Sequence, residues 1–206
     1  MHDGSRVGSR VRVYIASSFD GFIAGPGDDL SWLPGADPNA SSDPDANPTA
    51  SDAGASGAAP GSVGYAEFMQ QIGALLLGRR TFDVVLGFGG EWPYGDRPVF
   101  VATHRPLGAS LPNVHPVSGT IGELVASAKQ RAGNKDVYLD GGNLIRQALS
   151  AGLVDDLIVT LVPELLGQGH PLFAGLEQRC SLEFTAYHPF GQGMLQLHAR
   201  PRRDNP

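Results

Sequence analysis

Cysteine is almost missing from this sequence: Cys180 is the only one among 206 residues. A single thiol rules out a disulfide framework within the chain and any multi-cysteine zinc site. No stretch reaches the roughly 18 consecutive apolar residues of a membrane-crossing helix, and residues 1–10 hold no apolar signal core. The expectation is a soluble cytoplasmic protein with no membrane partner. Lysine occurs only as Lys129 and Lys135, and 15 basic against 21 acidic residues leave a net charge of −6. That balance argues against a nucleic-acid surface. Several enzyme signatures are also missing. There is no P-loop, no G-x-S-x-G elbow and no H-E-x-x-H, and Gly87-Phe88-Gly89-Gly90 has the wrong spacing for G-x-G-x-x-G. These gaps count against a P-loop nucleotidase, a serine hydrolase, a zinc protease and a Rossmann dehydrogenase.

What remains is a chain with 41% hydrophobic residues, enough for one core, interrupted by one biased stretch. Residues 35–64 are built from Ala, Gly, Ser, Pro, Asp and Asn, with Val63 as the only large apolar side chain. Asp37, Asp43, Asp45 and Asp52 lie in it with no basic residue, so it carries −4 of the net charge. Such a composition cannot bury enough surface to offset the entropy of ordering, and the expectation is a disordered insertion, either a tolerated surface loop or a lid. The domain is then expected over 10–201, with tails at 1–9 and 202–206.

The rest of the chain reads as strands that run into turns and helices. Val11-Arg12-Val13-Tyr14-Ile15-Ala16 alternates like a strand. Tyr65, Phe68, Met69 and Ile72 have helical spacing, and Ala74 to Leu77 is an apolar run that suits a central strand. Gly78-Arg79-Arg80-Thr81 follows it, opening a helix that Gly87 is expected to stop. Val99-Phe100-Val101-Ala102 ends in Thr103-His104-Arg105. Thr120-Ile121-Gly122-Glu123 is a capping box ahead of a helix closed by Gly133. Val137-Tyr138-Leu139-Asp140-Gly141-Gly142 is a strand, a glycine turn and the start of a helix with Gly152 beyond its end. Asp156 to Val162 is another strand, and Leu182–Tyr187 with Met194–Ala199 form a closing antiparallel hairpin. This order gives an α/β fold with a mainly parallel sheet and a late antiparallel edge.

Three of the turns carry glycine or cations: 78–81, 103–105 and 140–143. Free amides at a helix N-terminus over Gly141-Gly142, paired arginines, and a hydroxyl beside an imidazole and a guanidinium all suit phosphate. Each also has a bland reading, as a tight turn, a solvated charge pair or a surface histidine. In a parallel sheet the carboxyl ends of the strands share one crevice, so the three turns can converge on a single polyphosphate.

Taken together, Ser18-Phe19-Asp20-Gly21-Phe22-Ile23-Ala24, Leu75-Leu76-Leu77-Gly78-Arg79-Arg80-Thr81-Phe82, Val99 to Pro106, Gly141-Gly142 and Val162-Pro163-Glu164-Leu165-Leu166-Gly167 stand in an order that resembles the dihydrofolate-reductase-like superfamily. The nearest likeness is to stand-alone relatives of the C-terminal reductase domain of the bifunctional riboflavin-biosynthesis deaminase–reductase. The resemblance implies a three-layer α/β fold: a central mixed, mainly parallel sheet of about eight strands, helices on both faces and a C-terminal antiparallel hairpin. It implies NADPH as cofactor and a homodimer. Gly78, Arg79, Arg80 and Thr81 would sit at the cofactor phosphates, and Thr103, His104 and Arg105 at the adenosine 2′-phosphate. Gly141, Gly142, Asn143, Leu144 and Ile145 would hold the pyrophosphate, and Ala16, Phe22 and Ile23 would flank the nicotinamide. Asp20 would be the catalytic carboxyl, with Asp140, Glu164 and Trp32 at the substrate. Asp140 stands where the riboflavin branch has a glutamate. The chain has neither the Cys-x-x-Cys nor the His-x-Glu of the deaminase half, which excludes that chemistry.

The functional expectation is hydride transfer from NADPH to a C=N or C=O bond of a small heterocycle, a pyrimidine ribosylamine or a pterin-like compound. The alternative is a protein of the same fold that binds nucleotide without turnover. No metal is expected. An ordinary carboxyl is a poor acid at neutral pH, so a proton-relaying Asp20 needs burial to raise its pKa; as a bland alternative it is a turn-forming Asp-Gly residue.

Overall fold

The computed structural model describes residues 8–34, 60–108 and 110–202. Residues 35–59 of the expected insertion and most of both expected tails lie outside the described residues. Elements run in the order β1 (Val11–Ser18), β2 (Phe22–Ala24), α1 (Tyr65–Gln70), β3 (Ile72–Gly78), α2 (Arg79–Gly87), β4 (Val99–Ala102), β5 (Val114–Val117), α3 (Ile121–Ala132), β6 (Asp136–Asp140), α4 (Gly142–Ser150), β7 (Asp156–Val162), β8 (His170–Pro171), β9 (Leu182–Phe190) and β10 (Met194–Pro201). Among the described residues no helix is long and apolar enough to cross a membrane.

Eight strands form one sheet in the order β5-β4-β3-β6-β1-β7-β10-β9. The first six are mutually parallel, and β10 and β9 close the sheet antiparallel. A separate two-stranded pair joins β2 to β8. Strand side chains alternate between two cores. Val11, Val13, Ile15, Leu76, Val137, Leu139, Leu157 and Val159 face α3 and α4. Tyr14, Leu75, Leu77, Val99, Val101, Tyr138 and Ile158 face α1 and α2. Because both faces are covered, the central strands are apolar on both sides, which is why Leu75-Leu76-Leu77 could be read as a strand at all.

The turn chemistry explains where the elements stop. Thr120 accepts the Glu123 amide while the Glu123 carboxylate accepts the Thr120 amide, the expected capping box. Gly152 follows α4 at φ 65°; its N–H donates to Leu149 O (3.0 Å) and Leu153 N–H to Ala148 O (2.8 Å). That double bond pattern satisfies the last carbonyls of the helix and needs the left-handed residue that glycine supplies. At the closing hairpin, Gln192 and Gly193 both have positive φ (59° and 78°), the signature of the turn whose twist matches two antiparallel strands.

Several boundaries differ from expectation. Ile72 opens β3 instead of completing the apolar face of α1. The second helix runs through Gly87 and stops at Gly89, φ 72°. Strand β5 was not anticipated because Val114-His115-Pro116-Val117 contains proline; it is tolerated because β5 is the edge of the sheet. Phe22–Ala24 forms a short strand whose partner lies far away in sequence. The last residues of the biased stretch are described and seated: Val63 N–H donates to Gln196 Oε1 (2.8 Å), and Val63 O accepts from Gln196 Nε2 (3.0 Å) and the Tyr14 hydroxyl (3.0 Å).

Candidate functional site

Where the parallel strands end, the chain leaves a cavity of about 830 Å³. Ala16 from β1, Gly78 from β3, Ala102 from β4, Val117 from β5 and Asp140 from β6 all open onto it. The three turns singled out in the sequence converge there: Gly78, Arg79, Arg80 and Thr81, then Thr103, His104 and Arg105, then Gly141, Gly142, Asn143 and Leu144 line the same space. Ala16 and Ile23 line it as well. Ile145 does not; it is fully buried in the core between α4 and the sheet, as its place on the inner helical face requires. Phe22 is also absent from the lining, because the alternation of β2 puts its side chain on a different side from Ile23.

The glycine turn is tight for a reason internal to the protein. Gly141 has φ 108°, and a Cβ there would lie 2.9 Å from Thr81 Oγ1 and 3.2 Å from Gly78 N. A Cβ on Gly142 would meet Arg146 Nη1 at 3.0 Å, Pro171 O at 3.0 Å and Ile23 Cδ1 at 3.1 Å. So the β6–α4 turn and the β3–α2 turn interlock, and β8 presses on the pair from the other side. The arrangement still turns the first amides of α4, which have no carbonyl partner within the helix, toward the cavity with the positive end of the helix dipole.

The cations on the wall are held in place by the protein itself. Arg79 Nε donates to both Asp83 oxygens (2.8 and 2.9 Å) and its Nη1 to Pro106 O (2.8 Å), which links α2 to the 103–106 turn. Arg80 pairs with Asp28, and His170 Nε2 lies 3.5 Å from the same carboxylate. Thr103 Oγ1 accepts the Arg105 amide (3.0 Å), shaping the turn that presents His104 and Arg105 to solvent.

The carboxyls separate into two kinds. Asp20 does not line the cavity. Ser18 Oγ donates to it (2.6 Å), as do the Leu166 and Gly167 amides (3.2 and 2.7 Å), and these donors, led by Ser18, hold it below the ordinary carboxylate range. The burial required for a proton-relaying Asp20 is therefore not met; its carboxylate fastens the β1 turn to the loop after β7. Glu164 lies in that loop, exposed and outside the cavity. Trp32 is likewise outside: it packs with Leu33 over Ala16, Val162, Phe190 and Met194, though its neighbours Leu30 and Leu33 do reach the cavity.

Asp140 is the opposite case. It is 8% exposed and lines the cavity. Its Oδ1 accepts the Gly141 amide at 2.6 Å and its Oδ2 lies 3.2 Å from the Tyr138 hydroxyl. Burial pushes its pKa up to about 6, against the pull of those two donors. Sequence reasoning placed Asp140 at the substrate but not as the titrating group, since burial is not visible in a tripeptide. It missed Arg146, Asp28 and His170 on the wall altogether; only helical spacing, putting Arg146 one turn after Gly142, pointed to any of them. Among the described residues there is no cluster of three or more metal-ligating side chains.

Comparison with known proteins bears on the fold. Residues 95–196 match the family model of the RibD C-terminal domain. The uncharacterized protein YwjB of Bacillus subtilis is 27% identical over 186 residues, covering 90% of this chain and 94% of the relative. Among solved structures, the "Putative riboflavin biosynthesis protein" of Shewanella sp. PV-4 superposes with a TM-score of 0.72 at 29% identity, over 94% of this chain and 99% of that one. Dihydrofolate reductase from Enterococcus faecalis, solved in complex with NADP(H), superposes with a TM-score of 0.59 at 16% identity, over 94% of this chain and 97% of that one, a likeness of fold alone. By the family model that residues 95–196 match and the architecture it shares with these structures, the chain is similar to the RibD C-terminal domain and has a dihydrofolate-reductase-like fold.

Proposed function

We propose that this protein is an NADPH-dependent reductase of a small heterocyclic substrate, a pyrimidine ribosylamine or a pterin-like compound, and that Asp140 is its acid. The observation that carries the reading is the convergence of three separate turns and one buried carboxyl of raised pKa on a single cavity. Dinucleotide binding fits the residues present: the α4 N-terminus with its glycine backbone and the guanidiniums of Arg80 and Arg105 on the wall. When bound, NADPH supplies the hydride. The α4 amides and the arginines would hold the phosphates, with Ile23 and Pro171 close against Gly142 on the same wall. Asp140 holds a proton at Oδ2 and passes it, directly or through one water, to the heteroatom of the reduced bond. With a pKa of about 6, roughly one molecule in ten carries that proton at pH 7, enough for turnover and still a stronger acid than water.

The scarcity of lysine leaves arginine to meet any phosphate on the substrate; Arg146 lines the wall, but its Nη1 already donates to Pro171 O (2.7 Å) and Leu172 O (3.2 Å). A second reading, nucleotide binding without turnover, draws on the fact that both Asp140 oxygens already have partners inside the fold. Fluorescence titration with NADPH and NADH, followed by turnover assays on pyrimidine ribosylamines and dihydropterins, separates the two. Binding with turnover whose rate falls above about pH 6 supports the reductase; binding without turnover supports the alternative; binding of neither nucleotide to folded protein removes both.

A further inference from the structure

The proton on Asp140 has a second keeper. Tyr138 lies two residues earlier on the same face of β6 and is 2% exposed. Its ring stands edge-on to Phe68 (centroids 5.2 Å apart, 87°) and to Tyr65 (6.4 Å, 73°), so it cannot swing out of place. Its hydroxyl has one hydrogen and two oxygens within reach: the Tyr14 carbonyl at 3.0 Å and Asp140 Oδ2 at 3.2 Å.

A carbonyl only accepts, whereas a carboxyl accepts when ionised and donates when neutral. With Asp140 neutral, its proton on Oδ2 is donated to the Tyr138 oxygen, and the Tyr138 hydrogen goes to the Tyr14 carbonyl. With Asp140 ionised, the same hydroxyl turns and donates to Oδ2. Oδ1 keeps the Gly141 amide in both states. One torsion therefore satisfies either protonation state of a buried group, where an unpaired charge is costly.

We infer that Tyr138 is a positioning residue for the reaction: it seats the Asp140 proton at Oδ2 and takes over as donor to the carboxylate as that proton leaves. The inference deepens the reductase reading, on which its catalytic sense rests. Arg12 on β1 is the cross-strand partner of Tyr138 and lies over the Phe68 ring, 5.0 Å from its centroid. The phenols of Tyr14 on β1, Tyr65 on α1 and Tyr94 in the loop before β4 pack in the same core. Arg79, Arg80, Arg105, Arg146, Asp28, Asp83, His104 and His170 line the same cavity as Asp140. β3 contributes Leu77 opposite Asp140 and no charge. The phenol of Tyr138 itself is pushed well above its ordinary pKa by burial and then by the Asp140 charge, so it stays a hydroxyl while Asp140 titrates.

The test is a carbon-13 NMR titration of the Asp140 carboxyl in the unliganded protein, repeated in Tyr138→Phe and Tyr65→Phe. Loss of the Tyr138 hydroxyl is expected to tighten proton binding by Asp140 on the order of tenfold, because the anion loses a donor. Tyr65→Phe, which removes a hydroxyl from the same aromatic cluster, leaves the midpoint in place. In the unsubstituted protein the Tyr138 ring carbon bearing oxygen should shift with the Asp140 midpoint, a readout that needs no variant to fold. In turnover, Tyr138→Phe lowers kcat several-fold and carries the pH limb upward, with KM within twofold. An unmoved Asp140 midpoint in Tyr138→Phe, or an equal move in Tyr65→Phe, overturns the inference and leaves the reductase reading standing. Failure to bind NADPH sinks that reading and leaves the titration result intact.

Discussion

At the scale of single residues the two aspartates show how much environment decides. Asp20 and Asp140 both precede glycine, and a local reading treats them alike. Three donors, two of them about 146 residues away in sequence, hold Asp20 as a structural anion, while burial makes Asp140 reluctant to ionise. The Asp-Gly pair was visible in the sequence; the contacts that separate the two roles were not. Because the folded pKa of Asp140 lies above its ordinary value of 3.8, its contribution to stability is present below about pH 4 and is lost as pH rises to about 6. That span corresponds to roughly 3 kcal/mol. Asp140→Asn keeps an acceptor for the Gly141 amide and cannot ionise. It should therefore be more stable than the parent above pH 7 by up to about 3 kcal/mol in denaturant unfolding, with the gap closing toward pH 4, while NADPH affinity persists and turnover falls by two orders of magnitude or more. Gly141→Ala acts on the backbone: strain at φ 108° plus contact with Thr81 should cost about 1–3 kcal/mol, read as a lowered melting temperature.

Among elements, those with strong periodicity and clear stops were legible. The central strands, the capped α3 and the Gly152-terminated α4 follow from spacing and caps alone. β5, β2 and β8 were not, because each is held by a neighbour brought in from elsewhere in the chain and not by its own pattern. The same is true of Val63. Its backbone N–H and C=O are both answered by the amide of Gln196, a fully buried side chain that pairs with it as another strand would. His198 Nε2, 2.8 Å from Gln196 Oε1, orients that amide. Gln196→Ala removes the acceptor of the Val63 N–H and one of the two donors to its carbonyl, which keeps the Tyr14 hydroxyl. The expected outcome is a loss of roughly 2 kcal/mol and much faster hydrogen exchange at Val63, with exchange in β3 and β6 unchanged.

The whole molecule is polar along its strands. One rim carries the cavity. The other carries Arg10, Arg12, Asp136, Asp156 and Arg200: Arg10 Nη2 lies 2.8 Å from Asp136 Oδ2, Arg12 Nη1 3.4 Å from the same oxygen, and Arg200 Nε 2.8 Å from Asp156 Oδ1. Arg12 is largely buried and keeps Asp156 Oδ2 at 3.9 Å and Gln71 Oε1 at 2.7 Å when Asp136 is removed, so Asp136→Ala weakens its pairing and should cost about 1.5–3 kcal/mol in chemical denaturation, while folded protein binds NADPH as before. Across the sheet, β9 is an open edge that exposes Phe184 and Tyr187, 63% and 72% accessible. We propose that two copies of the chain pair through this edge: light scattering should give twice the chain mass, falling to one chain mass in a Phe184→Asp, Tyr187→Asp double variant. The separation of the two rims has a practical consequence for anyone who wishes to retarget the protein. Randomising the cavity-lining positions Asp28, Leu30, His104, Arg105, Asn143 and Gln147, none of them buried, reshapes what is accepted without touching the ionic clasp, so libraries confined to them should retain a high fraction of foldable members.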